Sequence, residues 1–96
     1  MTLSIVGRCP ETGMLGGSIT SSSICVASRC LFTRSGVGAA LSQNVTDPRL
    51  GIRMLDLLES RTGRSGRADV NTVISQVVAE ANYMAWRQLV LLDSSG

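Results

Sequence analysis

The chain has 96 residues, 44% of them hydrophobic, and a formal net charge of +2. This composition builds one small core and excludes both an intrinsically disordered chain and a second domain. A low charge with one tryptophan, one tyrosine and one phenylalanine provides neither a basic stripe nor a stacking platform. We therefore expect no nucleic-acid partner.

The hydropathy pattern argues against membrane insertion and secretion. No apolar run is longer than four residues, whereas a membrane-spanning helix needs ~20. A basic segment followed by an apolar one, the mark of a secretory signal, does not open the sequence. The sequence therefore predicts a cytoplasmic protein without a membrane partner.

Two residue types are missing from the composition. The 96 residues contain no histidine, and all nine basic side chains are arginines, which excludes a Ser–His–Asp triad, a Cys–His pair and a histidine-ligated metal within them. Cys9, Cys25 and Cys30 cannot all pair with one another, and their spacing fits no zinc pattern. We expect free, mostly buried thiols, no metal and no cofactor.

In chain order, the first predicted element is a β-hairpin. Residues 2–8 alternate in hydropathy as a strand does, residues 9–13 supply a proline–glycine turn, and residues 14–22 form the return strand. Small and hydroxyl residues occupy every second position of that return strand. They predict a face that admits a neighbouring backbone or a ligand close to the sheet, and they are Gly16, Ser18, Thr20 and Ser22.

The middle of the chain predicts a strand and a helix. Residues 24–32 fit either a strand or a short helical turn, a glycine-rich turn spans residues 34–38, and residues 39–45 read as a short strand. Asp47 as N-cap and Pro48 at the first helical position predict a helix that ends at about Ser60. A polar, basic loop is predicted over residues 61–67.

The last third predicts a helix and a strand. Asp69 caps a helix whose apolar stripe recurs at helical spacing, comprising Val70, Val73, Ile74, Val77, Val78 and Ala81. Residues 86–92 form a final apolar strand whose hairpin partner is missing from the sequence. Because an uncovered apolar edge invites aggregation, we expect a second chain or an oligomer to complete the sheet.

Thr2 is the candidate nucleophile that the residues themselves suggest. A hydroxyl without histidine needs another base, and the α-amine of an N-terminal residue, with a pKa of ~8, can take its proton. Removal of Met1 would make Thr2 that residue. An ordinary first-strand threonine is the alternative.

Five segments carry a family resemblance that spans nearly the whole chain. They are residues 1–8 (MTLSIVGR), 10–13 (PETG), 36–39 (GVGA), 42–51 (SQNVTDPRLG) and 86–90 (WRQLV), followed by Asp93 and Gly96. The sequence resembles the bacterial domain-of-unknown-function 1028 family, whose members look like N-terminal-nucleophile (Ntn) hydrolases. The resemblance implies an α+β fold, a four-layer αββα sandwich, and hydrolysis of a small-molecule amide.

The resemblance also implies a candidate processing point. Members are usually longer and continue beyond the turn at residues 93–96, and Ntn hydrolases often mature by self-cleavage after a glycine. Gly96 would then end an α-chain, and the nucleophile would begin a separate β-chain, with Thr2 as the alternative. Truncation at this turn is a further possibility.

Each remaining site residue is assigned by position and side-chain chemistry. Ser18, Thr20 and Ser22 would line the cleft, and Gln43 and Asn44 would orient the substrate or the oxyanion. Arg34 would bind a substrate carboxylate. The rival prediction is a non-catalytic structural or binding protein that keeps the Ntn-like fold.

Overall fold

A computed structural model describes residues 1–65 and 69–96, and its fold is α+β. Its elements are β1 (Thr2–Arg8), β2 (Leu15–Ser21), α1 (Val26–Cys30), β3 (Leu31–Arg34), β4 (Gly38–Asn44), α2 (Pro48–Ser65), α3 (Val70–Glu80), a 3₁₀ turn (Met84–Trp86) and β5 (Arg87–Asp93). Within the described residues, no helix combines the length and apolar character needed to cross a bilayer.

The β1–β2 hairpin confirms the first predicted element, and its turn sets the register. The Cys9 N–H donates to the Met14 carbonyl at 2.8 Å, and Gly13 adopts a φ of +74° that favours glycine. Arg8 pairs with Leu15 and Thr2 with Ser21. Even-numbered residues of β1 therefore share a face with odd-numbered residues of β2.

The strand β4 lies at the centre of an antiparallel sheet of order β3–β4–β5 and is buried on both faces. Gln43 faces the hairpin, where it accepts a hydrogen bond from Ser4. Ala40 points to the opposite face and joins the core formed with the helices. The described residues thus form three layers, with the hairpin and the helices α2 and α3 on opposite faces of this sheet.

The helical layer supplies most of the core. Leu58 and Met54 of α2 and Val73 and Val77 of α3 are essentially inaccessible to solvent. The predicted stripe of α3 is confirmed at these two valines, but Val78 is 43% exposed. It lies at the margin of the stripe, because one residue turns a helix by ~100° away from Val77.

Two predicted boundaries were wrong. The helix α2 continues to Ser65 rather than ending near Ser60, and Arg61 Nη2 donates to Gln76 Oε1 at 3.0 Å, which fastens this last stretch to α3. The predicted loop over residues 61–67 is therefore helical as far as Ser65, and its remainder lies outside the described residues. Trp86 belongs to a 3₁₀ turn rather than to the final strand.

The structure also defines the segment over residues 24–32, for which the sequence left two alternatives, and the pairing of the final strand. Residues 24–32 contain the short helix α1 followed by the first residues of β3. The final strand β5 pairs with β4 from Arg87 to Asp93, a partner that the sequence did not predict. These partners are far apart in sequence, so no hairpin turn signals the pairing. The other edge of β5, where the sequence predicts a missing hairpin partner, is paired with no strand of the described residues.

A double-mutant cycle tests the contact between α2 and β3. A Cβ added at Gly51 would overlap the Phe32 ring, lying 2.8 Å from Cε2. We expect Gly51→Ala to destabilise the fold by about 1–3 kcal/mol through this overlap, although alanine is the better helix former by ~1 kcal/mol. In a Phe32→Ala background the sign should reverse. Urea unfolding of the four proteins measures both effects, and an unchanged sign would contradict the contact.

Candidate functional site

A cleft of about 750 Å³ opens at the end of the hairpin that carries Thr2. We call it the Thr2 cleft. The pairing of Thr2 with Ser21 and of Asn44 with Arg87 brings the ends of two strand pairs to this point. Its lining comprises Met1, Thr2, Val26, Arg29, Cys30 and residues 21–23, 43–46 and 85–88. Its volume is in the range of roughly 300–1,000 Å³ typical of small-molecule sites.

The Thr2 side chain is half-buried and held by a hydroxyl neighbour. Its Oγ1 donates to Ser21 Oγ at 3.2 Å, and the same Ser21 oxygen accepts the Ser23 N–H at 3.3 Å. Met1 precedes it as a fully exposed residue that also lines the cleft. Removing Met1 would leave the α-amine of Thr2 beside its own hydroxyl.

Gln43 connects the hairpin to the central sheet at the base of the cleft. It is 7% exposed, its Oε1 accepts from Ser4 Oγ at 2.8 Å, and its Nε2 donates to Gln88 Oε1 at 2.9 Å. Both ends of the amide are thus engaged by protein. This arrangement fixes the distance between β1 and β4 and makes Gln43 a positioning residue.

Asn44 differs from Gln43 because its side-chain amide has no hydrogen-bond partner in the described part of the chain. Its backbone adopts a φ of +71°, which asparagine tolerates better than most residues. Its carbonyl accepts from Thr46 Oγ1 at 3.2 Å, which stabilises the bend after β4. The exposed amide is available to a ligand in the Thr2 cleft.

Three of the predicted site residues lie elsewhere. Ser18 and Thr20 pair with Ile5 and Leu3, so they share the outer, exposed face of the hairpin, while Ser22 lines the Thr2 cleft. Arg34 Nη1 lies 2.8 Å from a carboxylate oxygen of each of Asp56 and Glu59 on α2. The hydrogen bond to Asp56 raises the pKa of this guanidinium, which stays charged.

Gly96 lies at the opposite end of the hairpin from Thr2. Arg8 Nε donates to the Ser94 carbonyl at 2.7 Å, and a Cβ built at Gly96 would lie 3.6 Å from Arg8 Cδ. Thr2 and Arg8 are the two ends of β1, and six steps of ~3.3 Å separate them by ~20 Å. A nucleophile directly after Gly96 would therefore emerge far from Asn44.

A second groove, of about 550 Å³, lies between the start of α2 and the end of α3. Two of its guanidinium groups are paired with acids, Arg53 with Glu80 at 3.2 Å and Arg49 with Asp47 at 2.8 Å, and Arg87, which also lines it, donates to backbone carbonyls. The hydrogen bond from Arg49 lowers the pKa of the Asp47 carboxyl. In residues 1–65 and 69–96 no group of three His, Cys, Asp or Glu side chains is placed to hold a metal. The Thr2 cleft is the better candidate because it contains the unpaired amide and the hydroxyl.

A family model described as a family of unknown function, DUF1028, matches residues 2–96. The chain belongs to the DUF1028 family. It is similar to the crystal structure of protein SPO2555 from Silicibacter pomeroyi, which carries the same family designation, with a TM-score of 0.85 and 27% sequence identity. The alignment covers 99% of this chain and 40% of that protein, so the chain spans less than half of its length. The comparison with curated proteins gives no match.

Ser21, Arg29 and Trp86 are among the residues of the Thr2 cleft that sequence reasoning on this DUF1028 chain did not name. Counting back from the turn pairs Arg8 with Leu15 and therefore Thr2 with Ser21, so the register contained a signal for Ser21. Arg29 carries no such signal, because its position depends on the short helix α1, which the sequence predicted only as an alternative to a strand. Trp86 was assigned to a strand, whereas its 3₁₀ turn leaves it 69% exposed at the cleft.

The position of Arg34 leads to a specific prediction for this DUF1028 chain. We expect Arg34→Gln to lower the free energy of unfolding by at most about 1 kcal/mol, because exposed ion pairs contribute little. Since Arg34 faces α2, binding in the Thr2 cleft should not change. Urea unfolding and ligand titration of the variant measure the two quantities. A loss of cleft binding would contradict this placement.

Proposed function

We propose that the Thr2 cleft is the active site of an amide-bond hydrolase of the N-terminal-nucleophile type, with Thr2 as nucleophile after Met1 is removed. One observation carries the proposal. The Thr2 hydroxyl lies in a cleft of small-molecule size and is held by a hydrogen bond to Ser21. Thr2 follows Met1 directly, so removal of Met1 would place the α-amine that serves as base on Thr2 itself. Family membership supports it only through the resemblance of DUF1028 members to Ntn hydrolases.

The chemistry follows from the residues of the cleft. The free α-amine takes the Thr2 hydroxyl proton as Oγ1 attacks the amide carbonyl, and the exposed Asn44 amide donates to the oxyanion. When the carbon–nitrogen bond breaks, the α-ammonium returns its proton to the leaving amine and an ester on Thr2 remains. Water then attacks this ester with the α-amine as base. The acid product leaves and the Thr2 hydroxyl is restored.

The proposal includes the four-layer Ntn sandwich. Leu3 and Ile5 on the outer hairpin face are 71% and 68% exposed, and such an apolar face favours burial under a further helical layer. A second chain, a further part of the same polypeptide or another copy would supply this layer. A processed chain with its nucleophile after Gly96 is the weaker assignment, because Gly96 lies near Arg8 and not near Asn44.

Covalent trapping of the full-length protein tests the proposal. Intact-mass measurement first establishes whether Met1 has been removed, and a β-lactone is then added, which acylates a reactive N-terminal hydroxyl. We expect one adduct, mapped to Thr2, and amide hydrolysis that the adduct blocks. Thr20→Val is the matched control, since Thr20 lies on the outer face of the hairpin and its loss should not affect labelling.

Two outcomes would overturn the proposal. If Met1 is removed quantitatively and neither an adduct at Thr2 nor hydrolysis of an amide panel is seen, Thr2 is not the nucleophile. If the adduct maps to a threonine, serine or cysteine directly after Gly96, the processed two-chain arrangement replaces it. Ligand binding without any reaction would favour the non-catalytic binding protein.

A further inference from the structure

The charge of the Thr2 cleft is one-sided. Arg29 and Arg87 line it, and no aspartate or glutamate among the described residues does so. Arg87 is already occupied, because Nε donates to the Asn82 carbonyl at 3.0 Å and Nη1 to the Val45 carbonyl at 2.9 Å. It also lies near the Asp47 carboxylate. Arg29 is therefore the cation to consider.

Arg29 retains most of its hydrogen-bonding capacity. A guanidinium has five N–H donors, and in the described part of the chain Arg29 makes one hydrogen bond, from Nη2 to the Ile24 carbonyl at 3.0 Å. Arg34 and Arg53, by contrast, are ion-paired on the helical side of the molecule. An exposed arginine without an acidic partner, in a cleft without carboxylates, provides a fork suited to a ligand carboxylate.

The rim of the cleft adds an apolar surface beside this charge. Trp86 is 69% exposed there, with Ala85 next to it and Val26 on α1. An indole ring offers a large apolar face for a ligand. The serines at residues 21–23 line the same cleft. A ligand that combines a carboxylate with an apolar group would use both.

We infer that the substrate of the Thr2 cleft is an amide that also bears a carboxylate, the chemistry of an N-acyl amino acid, with its carboxylate on Arg29 and its apolar group against Trp86. The inference rests on the proposed function for the scissile amide, but the binding preference does not depend on turnover. Arg29 takes over the role that the sequence assigned to Arg34.

Calorimetric titration of the full-length protein with two matched ligands tests this inference. N-benzoylglycine carries the carboxylate, and N-benzoylglycinamide is its neutral counterpart. A Thr2→Ala background prevents turnover during the titration. We expect the carboxylate to bind about tenfold more tightly than the amide, as a charge-assisted bidentate contact provides. Arg29→Met should remove this difference and leave the binding of the neutral ligand unchanged.

Two further variants complete the design. Arg34→Met removes an arginine that faces α2 and should leave the tenfold preference intact, while Arg29→Lys should keep part of it. Thermal unfolding confirms that each variant is folded. Equal binding of the two ligands, absence of binding, or an Arg29→Met protein that still prefers the carboxylate would overturn the inference. If the carboxylate ligand is preferred but the wild-type protein, which keeps Thr2, hydrolyses no amide, the proposed function alone would be refuted.

Discussion

Thr2→Ala is expected to lower the kcat/KM of amide hydrolysis at least about a thousandfold, the usual cost of removing a nucleophile. The fold should remain intact, because the Thr2 hydroxyl makes one described hydrogen bond, to Ser21 Oγ, at the open end of the hairpin. Hydrolysis rates on an amide that the wild-type protein turns over, together with the midpoint of thermal unfolding, measure the two effects separately.

Three further substitutions at hydroxyl residues serve as controls for Thr2→Ala. Thr2→Ser keeps an oxygen beside the α-amine and should retain measurable activity. Ser21→Ala removes the partner that orients Thr2 Oγ1, so we expect a loss of about tenfold or more in kcat. Thr20→Ala removes a neighbouring hydroxyl from the outer face and should have no effect. A Thr2→Ala protein within tenfold of wild-type activity would contradict the nucleophile assignment.

Local signals predicted the elements of this fold better than their arrangement. The strand over residues 2–8 and the cap at Asp69, whose side chain accepts the Asn71 N–H at 3.0 Å, depend on neighbouring residues and were predicted correctly. The pairing of β5 with β4 joins residues more than forty positions apart, as Asn44 with Arg87 shows. Such a long-range pairing has no local signal. The end of α2 was misplaced because Gln76 on another helix supports Arg61.

The candidate site shows the same division. Thr2, Gln43 and Asn44 were named from chemistry and chain position, and the structure brings all three to one cleft. Ser18 and Thr20 were expected to line the cleft, but they lie on the outer face of the hairpin. The length of the turn decides which residues of β2 share a face with Thr2, and a shift of one residue exchanges the two faces. Arg34 lies away from the cleft and is paired with Asp56, which is more than twenty positions later in the sequence. Short-range sequence patterns do not reveal such ion pairs.

Leu58→Ala is expected to produce the largest loss of stability, about 3 kcal/mol. Leu58 is inaccessible to solvent, and its Cδ2 would lie 2.9 Å from a Cβ at Gly38, so the side chain fills the space between α2 and β4. Truncation leaves a cavity that the neighbouring side chains cannot move in to fill, because Met54 and Val77 are already packed in the same core. A domain of this size has a total stability of only ~5–15 kcal/mol.

Ile52 on the same helix provides the matched control, since it is 46% exposed. Ile52→Ala removes an aliphatic side chain of the same composition from partly solvated surroundings, so we expect a loss of under about 1 kcal/mol. Urea unfolding of the full-length protein should give a lower midpoint with an unchanged slope for Leu58→Ala. Equal losses for the two variants would mean that α2 does not pack on the sheet through the face that carries Leu58. The position of β4, and with it the Asn44 side of the Thr2 cleft, depends on that packing.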